Sequence, residues 1–241
     1  MTEGNNSELV FEYQFNFENG IEKHFTIRID KSTLNIIRNS SEELPSWTEF
    51  QNFQCPHCPL NPNDTKYCPV AVNLADIIEE FKEFPSYQEA DVKVNTRERC
   101  YFKRTSLQSG VSSLIGIKMV TSGCPIMGRL KSMVNFHLPF ATLEETQIRV
   151  LSFYLLHQYV KWKKGIEPDW EMEELIKIYE DIRILNKNVS KKIADLELLD
   201  TSINSLVILN NFAEYVSFTL DEKIIDEIES FLKEFHPIAN N

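Results

Sequence analysis

Cysteine is followed by proline four times in this chain, at Cys55, Cys58, Cys68 and Cys124, and only the fifth cysteine, Cys100, lacks the proline. Three of the four lie in the stretch FQCPHCPLNPNDTKYCPVAVN (53–73), and the last lies far downstream in TSGCPIMGR. That stretch ends an irregular run, 38–69, rich in proline, serine, asparagine and aspartate. A loop of this length is unusual in a compact domain unless it is functional or held by something other than a core. Cysteines bound to one common centre would supply that hold, and would oblige distant parts of the chain to fold around it.

Proline suits the first position of a helix, where its missing N–H costs nothing and its fixed φ is already helical. Cys68-Pro69 and Cys124-Pro125 both precede apolar periodic segments, so each cysteine is expected at a helix start. There the free amides and the positive dipole end favour the thiolate, the form that ligates metals. Cys55 and Cys58 have the C-x2-C spacing that lets two sulfurs of one turn converge on an ion. CPHC is similar to half of a zinc-ribbon knuckle, but Pro59 replaces the usual glycine and there is no second C-x2-C pair. The expected site is therefore Cys55, Cys58, Cys68 and Cys124 around one metal centre. Zinc is preferred, as a closed structural site. An iron–sulfur cluster uses the same donors, and thiol redox chemistry in an enzyme or sensor is the further alternative. Buried, unliganded thiols are the plain reading against which these stand.

Around the cysteines the pattern is α+β. Residues 9–17 alternate Phe11, Tyr13, Phe15 and Phe17 with polar residues, which is a strand with one buried face. Asn19-Gly20 signals a two-residue hairpin into a second strand carrying Phe25, Ile27 and Ile29. A third short strand is expected near Leu34–Ile37, and strands return over 91–105. Helices are expected after Pro69, over 107–121, after Pro125, over 143–164 behind a Thr142/Glu145 capping box, after Asp169, over 201–217 and over 220–235. On the 143–164 helix, Ile148, Leu151, Leu155, Tyr159 and Trp162 form the stripe expected to face the core. The layout is a small antiparallel N-terminal sheet followed by a mainly helical body, with the cysteine-rich loop between them. Residues 1–40 form the hairpin or meander segment, and 41–241 form the cysteine-containing helical part packed on it as one compact unit.

Three other groups stand out. His137, in NFHLPF, lies between Cys124 and the capped helix and is a candidate neighbour of the sulfurs, though a lone histidine among apolar residues is ordinarily core. His57, inside CPHC, could replace a thiol or point to solvent. Arg97, Arg99, Tyr101 and Lys103 share one strand face, which could meet an anion but reads first as a solvated surface, and Cys100 reads as packing beside Phe102. No Gly-rich phosphate loop or hydrolase motif is present in the sequence.

The formal net charge is -11, which argues against a nucleic-acid partner and against anionic membranes. The start MTEGNNSELV has neither a basic nor an apolar region of a signal peptide, so a cytoplasmic location, where thiols stay reduced, is the expectation. A protein partner, if any, is not indicated. The segments FQCPHCPL, YCPVAVNLADIIEEF, TSGCPIM and FHLPF resemble an uncharacterised bacterial family known only as a domain of unknown function, over roughly residues 50–215. The resemblance implies that the four Cys-Pro cysteines are a family set and FHLPF a second signature, and it implies no activity.

Overall fold

A computed structural model describes residues 7–38, 43–196, 200–218, 228–230 and 232. The alternating N-terminal segments form strands β1 (Glu8–Phe17) and β2 (Glu22–Asp30), paired antiparallel with Tyr13 opposite Phe25 and Phe11 opposite Ile27. Every second side chain of β1 is buried, from Phe11 through Phe17, because each points to the same face of the pleat. The hairpin differs from the expected two-residue turn. Gly20 alone takes a positive φ, 81°, while Phe17 N–H bonds to the Ile21 carbonyl at 2.9 Å. The loop is thus Glu18–Gly20, with glycine in the left-handed position that closes a three-residue turn.

Leu34–Ile37 does not form a strand. Leu34 has φ 54°, and the segment contributes one bridge, Ile29 to Ile36. The left-handed residue turns the chain away before a ladder can extend.

A short helix α1 (Phe50–Phe53) buries Phe50 and Phe53, and α2 (Pro69–Phe81) starts at Cys68 with Pro69 in its first turn. Strands β3 (Glu89–Asn95) and β4 (Cys100–Ser106) complete a four-stranded antiparallel sheet in the order β2-β1-β3-β4. Strands from both ends of the cysteine loop therefore share one sheet. Helix α3 (Leu107–Thr121) crosses its inner face. Gly110 allows this approach, since a Cβ there would lie 2.9 Å from Phe15 Cε1 and from Val92 Cγ2.

The segment after Pro125 is a 3-10 helix, Met127–Phe136, rather than an α-helix. Helices α4 (Leu143–Lys163), α5 (Glu173–Ala194) and α6 (Asp200–Phe218) make the rest of the body. The Thr142/Glu145 capping box is formed at α4, and Gly165, φ 70°, ends that helix. Asp169 accepts from the Glu173 and Glu174 amides at 3.1 and 2.9 Å, so it caps α5 from outside the first turn. The expected helix over 220–235 lies largely outside the described residues.

The expected inward face of α4 is corrected. Leu155, Tyr159 and Trp162 are 36%, 46% and 52% exposed, and the buried residues are Gln147, Val150, Leu151 and Gln158. The apolar stripe and the packed stripe share only Leu151. Gln158 is taken inward by a polar contact, its Oε1 accepting from the Asp169 N–H at 2.9 Å.

Candidate metal centre

The four Cys-Pro cysteines come from three stretches of chain and enter one hydrophobic core. Cys55, Cys68 and Cys124 are buried in it and Cys58 packs against it partly exposed, whereas Cys100 is exposed and outside it. None of the five is disulfide-bonded.

Local hydrogen bonds set each position. In CPHC the Cys58 N–H bonds to the Cys55 carbonyl at 3.1 Å, a turn that Pro56 preorganises at its second position. The loop is closed at its base, where Phe50 N–H meets the Lys66 carbonyl and Cys68 N–H meets the Thr48 carbonyl, both at 2.9 Å. Cys124 follows Gly123, whose φ of 92° admits the sharp turn after α3, and its N–H bonds to Ser122 Oγ at 3.2 Å. From α5, Asn188 Nδ2 donates to Cys55 Sγ at 3.4 Å.

Cys68 is the N-cap residue of α2 as expected. Cys124 stands two residues before the N-cap Ile126 of the 3-10 helix, and the Gly128 N–H bonds to its carbonyl at 2.8 Å. Neither thiol is lowered in pKa by its helix start. Burial pushes Cys68 up to about 11; the Ala71 and Val70 amides oppose this, although the sulfur makes no full capping hydrogen bond. Burial likewise raises Cys124, against the Met127 and Ile126 amides. Cys55 is raised most, to about 12, by burial and then by the charges of Cys68, Cys124 and Cys58, with Asn188 pulling the other way. Desolvation outweighs the helix dipole because the sulfurs lie inside the core instead of at its rim.

These mutual repulsions make the four sulfurs electrostatic neighbours. They are not a finished coordination shell: among the described residues, no group of three or more His, Cys, Asp or Glu side chains is arranged as it stands to hold a metal ion. Burial holds Cys55, Cys68 and Cys124 toward the neutral thiol.

The two histidines part company. His57 neither faces solvent nor sits free: its Nε2 reaches the Asp181 carbonyl of α5 at 2.9 Å, which makes it the donor and leaves Nδ1 a buried lone pair without a partner. Arg129 pairs with the Asp181 carboxylate at 2.7 Å, so α5 is tied to both the CPHC turn and the 3-10 helix. His137 has partners of its own. Its Nε2 lies 2.7 Å from the Tyr13 hydroxyl, which also meets Ser113 Oγ at 3.0 Å, and its ring packs edge-on to Phe11. Burial, then Arg149, depress its pKa to about 3, so it is a neutral imidazole.

Neither Asn188 nor Asp181 stands out in the sequence. Both lie on the long helix α5, and only their spacing from the inward residues Leu185 and Ile182 hints at a partner. Cys100 corrects the sequence reading, being exposed beside Phe102 at 65% exposure, because the outer face of β4 is uncovered.

The fold is thus that of an α+β protein, a four-stranded antiparallel sheet followed by a mainly helical body. The sequence pattern of a domain of unknown function, DUF6901, matches residues 11–233, and the chain belongs to that family. No curated protein and no solved structure matches it. Among the described residues no helix is long and apolar enough to cross a membrane.

Proposed function

We propose that the chain is a metal-binding protein in which Cys55, Cys58, Cys68 and Cys124 hold one ion, zinc by preference, that clamps the 55–68 loop to the beginning of α2 and the end of α3. What supports this is the gathering of the four cysteines at one core, Cys55, Cys68 and Cys124 buried in it and Cys58 packed against it, with helix-start amides and Asn188 directed at the sulfurs, where thiolates would repel one another. A divalent cation relieves that repulsion, and its binding free energy becomes folding free energy. Burial raises the Cys55, Cys68 and Cys124 thiols and makes these three poor nucleophiles without metal, which favours ligation over thiol catalysis. The clamp fits a reducing compartment such as the cytoplasm, where free thiols persist. The net charge of -11 leaves nucleic acid and anionic membranes out of the proposal.

Partial exposure of Cys58 supports a second reading, an iron–sulfur cluster with one ligand near solvent for electron transfer. Protein purified without oxygen separates the two. A colourless preparation with one zinc per chain supports the clamp. A brown one with iron and sulfide supports the cluster. Metal-free protein with all five thiols titratable and unchanged protease resistance after zinc addition refutes both.

A further inference from the structure

A second site lies between the sheet and helices α3, α4, α5 and α6. A cavity of about 360 Å³ opens there, in the size range of small-molecule sites. Its body is apolar, with Ile117, Val120, Leu130, Met133, Ile182 and Leu209 on the wall. Of the polar groups that also line it, Ser113 and His137 are taken up by the Tyr13 hydroxyl and Ser112 by the Ser109 carbonyl; three others bear on a ligand.

Arg149 is the main one. The side chain of this α4 residue is partly buried, and burial lowers its pKa, opposed by Tyr179, Glu145 and Tyr101. One of its five N–H donors is used, Nη2 to the Phe136 carbonyl at 2.8 Å. Among the described residues no carboxylate lies within ion-pair distance of it; Glu145, the nearest acid acting on it, is bound in the capping box at Thr142. Lys103 is a second cation on the wall. It stands opposite Val92 in the β3–β4 ladder, so it points to the cavity side of the sheet from an exposed strand position. It makes no ion pair among the described residues.

The third group is an acceptor. Asn186, 2% exposed in the inward stripe of α5, lines the cavity with its Oδ1 buried and unpartnered. Leaving such an oxygen unmade costs about 1–3 kcal/mol, and native cores leave few. The mouth carries strain as well. Phe140, in the FHLPF segment, lines the cavity with φ 61°, a conformation an aromatic residue rarely adopts outside functional loops.

From this geometry we propose that the cavity binds a small amphipathic carboxylate, its anionic head on Arg149 with Lys103 behind it, its apolar body along α3 and the 3-10 helix, and a hydroxyl or amide N–H of the ligand donating to Asn186. The site is independent of the cysteine cluster. Two cations without carboxylate partners around an apolar chamber select an anion, and no further lysine or arginine lines the chamber among the described residues, which suits a monoanion better than a highly charged nucleotide.

Isothermal titration of the intact protein with decanoate, decanol and decylamine tests this. Decanoate is expected to saturate one site per chain, about tenfold or more tighter than decanol, with decylamine weaker still. Arg149→Gln should bring decanoate to the decanol level. Lys103→Gln, at an exposed strand position, should fold normally and weaken decanoate by a few-fold. Val120→Phe should fill the chamber and abolish both. Asn186→Leu should leave decanoate unchanged and remove any added affinity of hydroxydecanoates. Equal affinity for all three ligands, no saturable decanoate binding, or decanoate binding indifferent to Val120→Phe and Lys103→Gln would each overturn the proposal.

Discussion

Replacing His137 tests how the core handles acid. In the folded protein its pKa is depressed from 6.5 to about 3 by burial and by Arg149, while in the unfolded chain it titrates near its ordinary value. The folded state therefore binds fewer protons than the unfolded state between these two values. Stability rises with pH wherever the unfolded state holds more protons, so this group's contribution is intact above about pH 6.5 and is lost as pH falls toward 3. Moving from pH 7 to pH 4 removes about 3 kcal/mol through this residue alone. That figure is an upper bound, since part of the ring remains within reach of water and solvent screening reduces it. His137→Gln keeps a polar partner for the Tyr13 hydroxyl but cannot acquire a proton. Urea unfolding of both proteins at several pH values isolates the term, because every other group titrates alike in the two. The wild type should lose about 2–3 kcal/mol more than the variant between pH 7 and pH 4. Parallel stability curves, or a proton NMR titration of the His137 ring with a midpoint above pH 6, would refute the reasoning.

Other perturbations address the cysteine cluster and the scaffold. Cys68→Ala should lower bound metal and protease resistance together, while Cys100→Ala, at an exposed position, should change neither; equal metal content in the two variants contradicts the assignment. Asn188→Leu, which removes the donor to Cys55, should weaken metal binding by about tenfold in a chelator competition, in line with other supporting hydrogen bonds at metal sites. Gly110→Ala should destabilise by about 1–2 kcal/mol in thermal unfolding, because the added methyl meets Phe15 and Val92 and this exceeds the helix gain. Thr142→Ala removes the capping box of α4 and should cost about 1 kcal/mol by the same measurement.

The parts of the fold legible in sequence are those fixed by short-range geometry. Alternation placed β1 and β2, Pro69 marked the start of α2, and Thr142 with Glu145 marked α4. Apolar spacing could not say what a stripe packs against. On α4 the conspicuous residues Tyr159 and Trp162 are exposed while Gln147 and Gln158 are buried, since tertiary polar contacts decide which side turns inward. Leu34 took a left-handed turn that its residue type does not advertise. The shared proline singles out the cysteines, but the helix starts alone point the Cys68 and Cys124 pKa the wrong way, because the depth of burial is a property of the whole core. Of the amphipathic cavity only Lys103 carries a sequence signal, as part of the basic strand face; Arg149 and Asn186 come from separate elements and gain meaning only when these meet.

The strand order β2-β1-β3-β4 has a kinetic consequence. The β1–β2 hairpin closes across three residues, but β1 reaches its other neighbour, with Phe17 opposite Ala90, only after the chain has run through α1, the CPHC turn and α2. Closing that longer excursion costs roughly 2–3 kcal/mol more in chain entropy than closing the hairpin. The early-forming ribbon must therefore wait with one side unzipped. A nascent chain slow to organise the excursion would expose that bare margin, rich in phenylalanine, to other copies of itself.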